Sequence, residues 1–536
     1  MIQYAAVFLQ RIFNDYLFEH PIYFTGYLLL VLVVIYALIT EYQRYKACIP
    51  GLGGPRGYPI VGNIPQIRKN AAEQYRLWRK QFGPVYQIML GNVPVVVVNS
   101  AAAAKQIFTT NSQALSSRPE FYTFHKVVSS TAGTTIGTSP FSDSLKRRRK
   151  GAASALNRPS VVSYIPHIDI ESRDFIDEFL ELGKAGQKPV DPLPMIQRLS
   201  LSLALTLNWG VRMASQNDEL FDEITQVEQA ASSFRSTTGN LQDYIPILRL
   251  MPFNNSRARE TRSRRDVYLQ RLNDDLDRRI KEGNYKPCIQ ANVILDKDTK
   301  LTHEELLSIS LTMLNAGLDT LGTLMQWSML LLAMRPDIQE KALAEIRKVY
   351  PGDATGILCD ASDDQSIPYI VALIRELLRY YSVLRLNLPR ATIQDINYNG
   401  VIIPAGSVIF LNAWSCNMDP DVWGDDYLVF RPERWLEKPE APFFSYGIGY
   451  RMCTGSVLAN REMYTIFLRL MSAFEIKNAV YVDPEGADQV DPHPVTGIED
   501  PTHLVSAPKR YKVTIAPRDE IALRKALSKA KIHDKD

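Results

Sequence analysis

The chain has 536 residues, 46% hydrophobic and 22% charged, a globular balance with ample apolar content for a large core. Its 61 basic and 58 acidic residues leave a formal charge of +3, and no basic run is interleaved with base-stacking aromatics. Binding of nucleic acid by bulk charge is thereby excluded. Cys48, Cys288, Cys359, Cys416 and Cys453 form no Cys-x-x-Cys pair and no Cys/His cluster at zinc spacing, which suits free thiols in a reducing compartment.

After residues 1–21 comes the uncharged run IYFTGYLLLVLVVIYALIT, Ile22 to Thr40. Its length approaches the roughly 20 apolar residues that cross a bilayer. A buried core helix would rarely be apolar on every face, and no Ala-x-Ala-like cleavage site follows, so a retained anchor is expected. Arg11 is the only Lys or Arg before the run, whereas Arg44, Lys46 and Arg56 follow it. The positive-inside rule then makes 1–21 lumenal, 22–40 the span and the body cytosolic. Residues 41–62, which take in IPGLGGPRGYPIVG, Ile49 to Gly62, read as a stiff, bent connector. Gly51 and Gly53 are followed by Arg56 instead of a third glycine, and no strand precedes them, so a dinucleotide fingerprint is excluded.

Residues 63–520 read as one catalytic body, and 521–536 as a polar tail. In the body, VYQIML and VPVVVV flank Gly91-Asn92, the signature of a two-residue hairpin. The run Lys146 to Lys150 is either a solvated face or a docking patch for an acidic partner. Thr302-His-Glu-Glu305 is a capping-box pattern that opens a long helix ending at Pro336. This helix is apolar on almost all faces and is expected at the centre of the fold. Asn315, Gly317, Asp319 and Thr320 interrupt it halfway, and Gly317 alone should cost about 1 kcal/mol against alanine. Two readings remain: a polar kink satisfied by neighbours, or a notch where a ligand approaches an acid and a hydroxyl able to pass protons. After Pro368, YIVALIRELLRYY places Glu376 and Arg379 on one apolar-flanked face, with Arg434 of FRPERW as a third partner. Asn399-Gly400 marks a second hairpin. The fold class is mainly α, with small β-sheets drawing on both ends of the body.

The stretch FFSYGIGYRMCTGS, Phe443 to Ser456, surrounds one cysteine with glycines and precedes a helical pattern. Glycines permit unusual backbone angles and close N–H approach to the sulfur. The following helix N-terminus favours negative charge, and Arg451 offers a cation to an acidic group on a cofactor. A single axial thiolate on a haem iron suits this better than a zinc site, which needs more ligands. A catalytic thiol would want a positioned histidine, and the nearest downstream is His493.

The string Phe444-x-x-Gly447-x-Gly449-x-Arg451-x-Cys453-x-Gly455 resembles the haem-binding loop of the cytochrome P450 superfamily. Ala316-Gly317-x-Asp319-Thr320, Glu376-x-x-Arg379 and Pro432-Glu433-Arg434-Trp435 accompany it in the family's order, so the resemblance covers nearly the whole chain. It implies the family's mostly helical fold and a haem b (iron protoporphyrin IX) cradled by the loop from Phe444 and Gly447 to Cys453, its axial ligand. It further implies Asp319 and Thr320 as a proton relay, Gly317 as room for oxygen, and Glu376, Arg379 and Arg434 as a structural triad. Arg451, Arg390 and Arg149 become propionate partners. The sequence departs from similar proteins at Leu145, where a tryptophan is usual, and at Leu321, where a small hydroxyl residue is common.

The family also implies dioxygen as co-substrate, electrons from NADPH through a separate NADPH–cytochrome P450 reductase, and an endoplasmic-reticulum membrane location with lipid contact. TTIGTSPFSDSLKRRRKGAASALNRPSV resembles the fungal branch that hydroxylates phenylacetate, cresols and hydroxybenzyl alcohols, in catabolic or secondary-metabolite pathways. A small monocyclic aromatic, attacked on the ring or a benzylic carbon, is therefore the expected substrate. Phe121, Tyr122, Phe124, His125, Leu314, Leu386 and Asn387 are the pocket candidates, with Lys126 a candidate partner for a substrate carboxylate. The alternatives are a haem-thiolate isomerase or dehydratase, a monooxygenase of a larger polyketide or sterol-like substrate, and a membrane scaffold or haem-binding sensor without catalysis.

Overall fold

The apolar run folds within α1 (Pro21–Ala47) of the computed structural model, which describes residues 21–130, 133–236, 239–251, 255–296, 300–482 and 489–533. The expected lumenal segment therefore lies, but for Pro21, outside the described residues. α1 is long and apolar enough to cross a bilayer, and none of its apolar window is buried among the described residues. It continues past Thr40 to Ala47, so the connector begins at Cys48 and not at residue 41. Arg44 ends the helix as a latch: its guanidinium pairs with Glu41 and donates to the Tyr58 carbonyl at 2.9 Å.

The first hairpin forms as its turn chemistry requires. β1 (Val85–Leu90) and β2 (Val93–Val98) pair antiparallel with Leu90 opposite Val93. Gly91 has φ +54°, and a Cβ there would stand 2.2 Å from the Tyr244 carbonyl oxygen, so only glycine fits. From the other end of the chain come β3 (Arg390–Ala391), β4 (Ile396–Tyr398), β5 (Val401–Ile403) and β6 (Val408–Leu411). β6 joins β2 in parallel and β3 pairs with β6, giving the order β1-β2-β6-β3. Asn399-Gly400 turns β4 into β5.

Most of the body is helical. α2 (Asp143–Ala155), α3 (Leu193–Trp209), α4 (Glu219–Ser233) and α5 (Ser256–Lys281) surround the central α6 (His303–Met334). Thr302 and Glu305 form the reciprocal capping box, and the helix spans about 48 Å. Behind it lie α7 (Pro368–Tyr381) and α8 (Ser456–Ala473), which share the largest core cluster with its second half. β7 (Phe474–Tyr481) and β8 (Tyr511–Pro517) close the body as an antiparallel pair.

Residues 521–536 correct the expectation of a polar tail. They belong mostly to a helix, α9 (Glu520–His533), whose Ala522, Leu523, Ala526 and Leu527 join the main core. The spacing of these four is a helical stripe, and the intervening charges face water. Leu523, fully buried, should lose about 2–5 kcal/mol on substitution by alanine. Exposed Lys525→Ala should stay within about 0.5 kcal/mol of the parent, and urea unfolding of the two variants checks the contrast.

Candidate active site

Halfway along α6, where the helix should be most enclosed, Ala316 is exposed and Gly317 and Thr320 are partly so, while Asp319 keeps only a small exposed surface. Both flanking turns are packed in core clusters, so the exposure is confined to this one notch in the helix. The interruption is satisfied within the helix: Asn315 Nδ2 donates to the Leu311 carbonyl at 2.9 Å and Thr320 Oγ1 to the Ala316 carbonyl at 2.7 Å. Gly317 has a packing role in addition to the room for oxygen that the resemblance implies. A Cβ there would lie 3.3 Å from the Ala204 Cβ, so its absence serves the close packing of α6 on α3. Leu321 packs into the core, which accounts for an apolar residue where a hydroxyl was expected.

Asp319 does not stand free beside Thr320. Its Oδ2 accepts from Arg235 Nη2 at 3.0 Å, and both side chains are largely buried. Burial pushes the Asp319 carboxyl up, while Arg235 and the Ser232 hydroxyl oppose the rise. Arg235 lies 84 residues earlier, just beyond α4, and no local motif marks it.

The cysteine loop owes its path to two left-handed glycines, Gly447 at φ +74° and Gly449 at φ +68°. A Cβ on Gly449 would meet the Phe108 carbonyl oxygen at 2.4 Å, whereas one on Gly447 would meet nothing nearer than 3.9 Å. Phe444 is buried in the neighbouring core. The Cys453 N–H donates to the Tyr446 carbonyl at 2.9 Å, and Gly455, which precedes α8, points its N–H at the sulfur. Water reaches Cys453, yet protein surrounds the sulfur closely enough to push its thiol up. A bare thiolate is therefore disfavoured until a metal supplies the counter-charge. Among the described residues no cluster of three or more His, Cys, Asp or Glu could hold a bare ion. An iron at Cys453 thus suits one already held in a macrocycle.

Four guanidiniums beside the loop make the complementary half of that fit. Arg451 donates to the carbonyls of Ser116, Ser139 and Ile136 at 2.9, 3.0 and 2.7 Å. Arg390 donates to Ile448, Arg149 to Tyr450, and Arg118 to Gly137 and Pro389. Burial, and then mutual repulsion, push Arg390 and Arg451 down to about 9. Among the described residues none of the four has a carboxylate partner, an expensive arrangement without an anion. Two propionates would supply the missing charge, so the residues present fit a haem. Arg118 escaped the sequence reading because its carbonyl partners come from two distant segments, at Gly137 and at Leu388-Pro389. Arg149 stacks 5.5 Å over the Tyr450 ring, while Leu145, fully buried, fills core in place of the usual indole.

The basic run divides. Arg148 is buried against the Thr134 carbonyl and Ser308, and Arg147 pairs with Glu305, so neither offers the free docking charge expected of them. Lys126 is likewise corrected, since it pairs outward with Glu120 at 2.8 Å. Of the pocket candidates, Leu314 is fully buried between α3, α4 and α5, and Asn387 braces the loop by donating to the Phe444 carbonyl. His125 uses both ring nitrogens, on Phe121 and on the Thr138 carbonyl. Phe121 packs edge-on against Tyr244, Tyr122 and the buried Phe124 pack with Phe234 and Val128, and Leu386 is half-buried against the sheet-side core.

Glu376, Arg379 and Arg434 come together as expected. Glu376 accepts from Arg379 Nε and Nη2 at 2.8 Å each and from Arg434 Nε at 3.1 Å, with all three side chains buried. The Trp435 indole N–H and the Arg431 backbone N–H complete its shell. Arg379 also reaches the Asn417 carbonyl, and the Asn417 side chain holds the Phe444 N–H and the Ser445 hydroxyl. Asn417, absent from the sequence reading, therefore couples the triad to the cysteine loop.

Glu376→Ala would strand two buried guanidiniums and should destabilise the fold by about 3–5 kcal/mol, read as loss of haem-loaded protein on purification. Glu462 of α8 is buried, and burial alone pushes its carboxyl from 4.5 up to about 8. Its contribution to stability is complete below pH 4.5 and lost as pH rises through about 8. Glu462→Gln should therefore gain stability over the parent across that window, most near its upper end, as unfolding at a series of pH values would show.

Residues 52–498 match the family described as Cytochrome P450. The chain is 61% identical over 517 residues to a 3-hydroxyphenylacetate 6-hydroxylase of Emericella nidulans, covering 96% of this chain and 98% of that protein. It is 41% identical to a phenylacetate 2-hydroxylase of the same organism, covering 93% and 96% respectively. A zebrafish cytochrome P450 solved with abiraterone superposes with a TM-score of 0.67 at 22% identity, over 84% of this chain and all of that one, a likeness of fold alone. The notched central helix, the cysteine loop and the buried triad thus occur in a chain that belongs to the cytochrome P450 family of haem-iron monooxygenases.

Proposed function

We propose that the protein hydroxylates a small aromatic acid of the arylacetate class at a ring carbon. The observation that carries this is the 61% identity, over nearly the full length of both chains, to a 3-hydroxyphenylacetate 6-hydroxylase. Cys453 would hold the haem iron, and Arg118, Arg149, Arg390 and Arg451 the propionates. The bound haem supplies dioxygen activation, with electrons from NADPH delivered by a separate reductase.

The chain's own residues position and protonate. The Gly455 N–H and the α8 N-terminus lie on the side of the sulfur where they favour its negative charge, which restrains how much electron density it gives up. On the cavity side, Thr320 Oγ1 directs its proton to the Ala316 carbonyl and presents its lone pairs to the cavity, ready to accept a proton or hold a water. Asp319, raised by burial and held by Arg235, is the adjacent acid that resupplies that proton. Phe121 and Tyr122 offer apolar surface that excludes water from a monocyclic ring. We place α1 as a single-pass anchor in the endoplasmic reticulum, with the body facing the cytosol where the reductase docks.

Membranes containing the protein, a reductase and NADPH should convert 3-hydroxyphenylacetate or phenylacetate to a ring-hydroxylated product seen by mass spectrometry. Oxidation of m-cresol or hydroxybenzyl alcohol alone would move the assignment away from aromatic acids, and oxidation only of a bulky polycycle would sink it. Cys453→Ser should abolish both the haem-thiolate absorption and turnover while the protein stays in the membrane fraction.

A further inference from the structure

An arylacetate carries a full negative charge, and a cavity that takes it out of water must supply a cation. Arg235 has the features required. Its side chain is nine-tenths buried, its Nη2 meets Asp319 Oδ2 at 3.0 Å, and its Nε–H is buried with no partner among the described residues. The guanidinium lies 5.9 Å from the centre of the Phe124 ring. A guanidinium has five N–H donors, and the edge that carries Nε and Nη2 can hold a carboxylate with two parallel bonds. Asp319 occupies one of those two positions.

The neighbouring cations are paired, turned outward or wholly enclosed. Lys126 is turned outward to Glu120, and Arg249 donates to the carbonyls of Gln242 and Asp243. Arg265 donates to the Val128 carbonyl beside Glu228 and leaves Nε and Nη1 without a partner among the described residues, but unlike Arg235 it has no exposed surface at all. The four arginines at the cysteine loop fit the propionates. Along α6, Asp319 and Ala316 are three residues apart, so their side chains are about 5–6 Å from each other. That is the scale of one arylacetate, with its carboxylate at the Arg235 end and its ring at the exposed Ala316 and Thr320.

We propose that Arg235 binds the carboxylate of an aromatic acid substrate, sharing its guanidinium between that carboxylate and Asp319, with the ring lying along α6 toward Ala316 and Thr320. This rests on the arylacetate reading above and adds the residue that selects the acid over its neutral analogues. It also makes Asp319 a competitor for the same cation, because a second anion beside it is repelled until the guanidinium is shared.

Holoenzyme in membranes, titrated with 3-hydroxyphenylacetate and with the neutral 3-hydroxyphenylacetamide, reads binding as the substrate-induced shift of haem absorption. Arg235→Gln should weaken the acid by about tenfold or more and change the amide by less than about threefold. Arg235→Lys should fall between parent and glutamine variant for the acid. Asp319→Asn, which removes the competing charge, should tighten the acid and leave the amide unchanged, and it decides the matter if Arg235→Gln fails to load haem. An equal loss for acid and amide in Arg235→Gln, or unchanged affinity for the acid in both Arg235→Gln and Asp319→Asn, overturns the assignment while leaving the substrate class intact. A parent enzyme that shows no shift with either ligand overturns the substrate class and the assignment together.

Discussion

Glu376 is the point on which the site's framework converges. One carboxylate, sealed from water, accepts five hydrogen bonds from Arg379, Arg434, Trp435 and the backbone of Arg431. Apart from Arg379, which belongs to α7 itself, the donors come from residues 431–435, which the carboxylate ties to that helix. A buried ion pair contributes little stability compared with an apolar replacement, but it is strict about geometry. Here the geometry passes through Arg379 to Asn417 and from there to Phe444 and Ser445, so the position of the cysteine loop follows from where one anion is satisfied.

The two sides of the site handle charge in opposite ways. The triad is closed, with every guanidinium answered by a carboxylate or by carbonyls. The arginines at the cysteine loop are open, four cations facing only carbonyl oxygens, and Arg235 has one donor in use and another idle. Closed clusters define shape, whereas open ones state what charge the bound molecules bring. A dianionic haem and a monoanionic acid substrate would answer the two open clusters separately.

Much of this was legible from the order of residues. Both hairpins, the capping box and the central helix could be placed because their signals are local: a glycine at a two-residue turn, a threonine and glutamate three apart, an apolar period. Glu376, Arg379 and Arg434 were legible because motif spacing pairs the first two and the third sits in a string of its own. Arg118, Arg235 and Asn417 were not, since each acts through partners 19 or more residues away and looks like an ordinary polar residue in its own neighbourhood. Gly317 shows the reverse difficulty. Its helical context fitted a ligand notch, but that a missing Cβ also admits a neighbour depends on α3, where Ala204 lies against it. The tail at 521–536 was read by composition when its apolar period of four was the better guide.

The open arginine cluster reaches beyond the site to the life of the protein in the cell. Four like charges held close together oppose the compact state, and a ligand that neutralises them binds only the folded chain. Folding and haem loading then become one equilibrium, shifted by the concentration of free haem through mass action. When haem runs short, newly made chains would spend longer partly open and within reach of proteases. Abundance of this enzyme would thus follow the cofactor supply without any change in transcription, and the electrostatic strain that prepares the site would also set the threshold for survival.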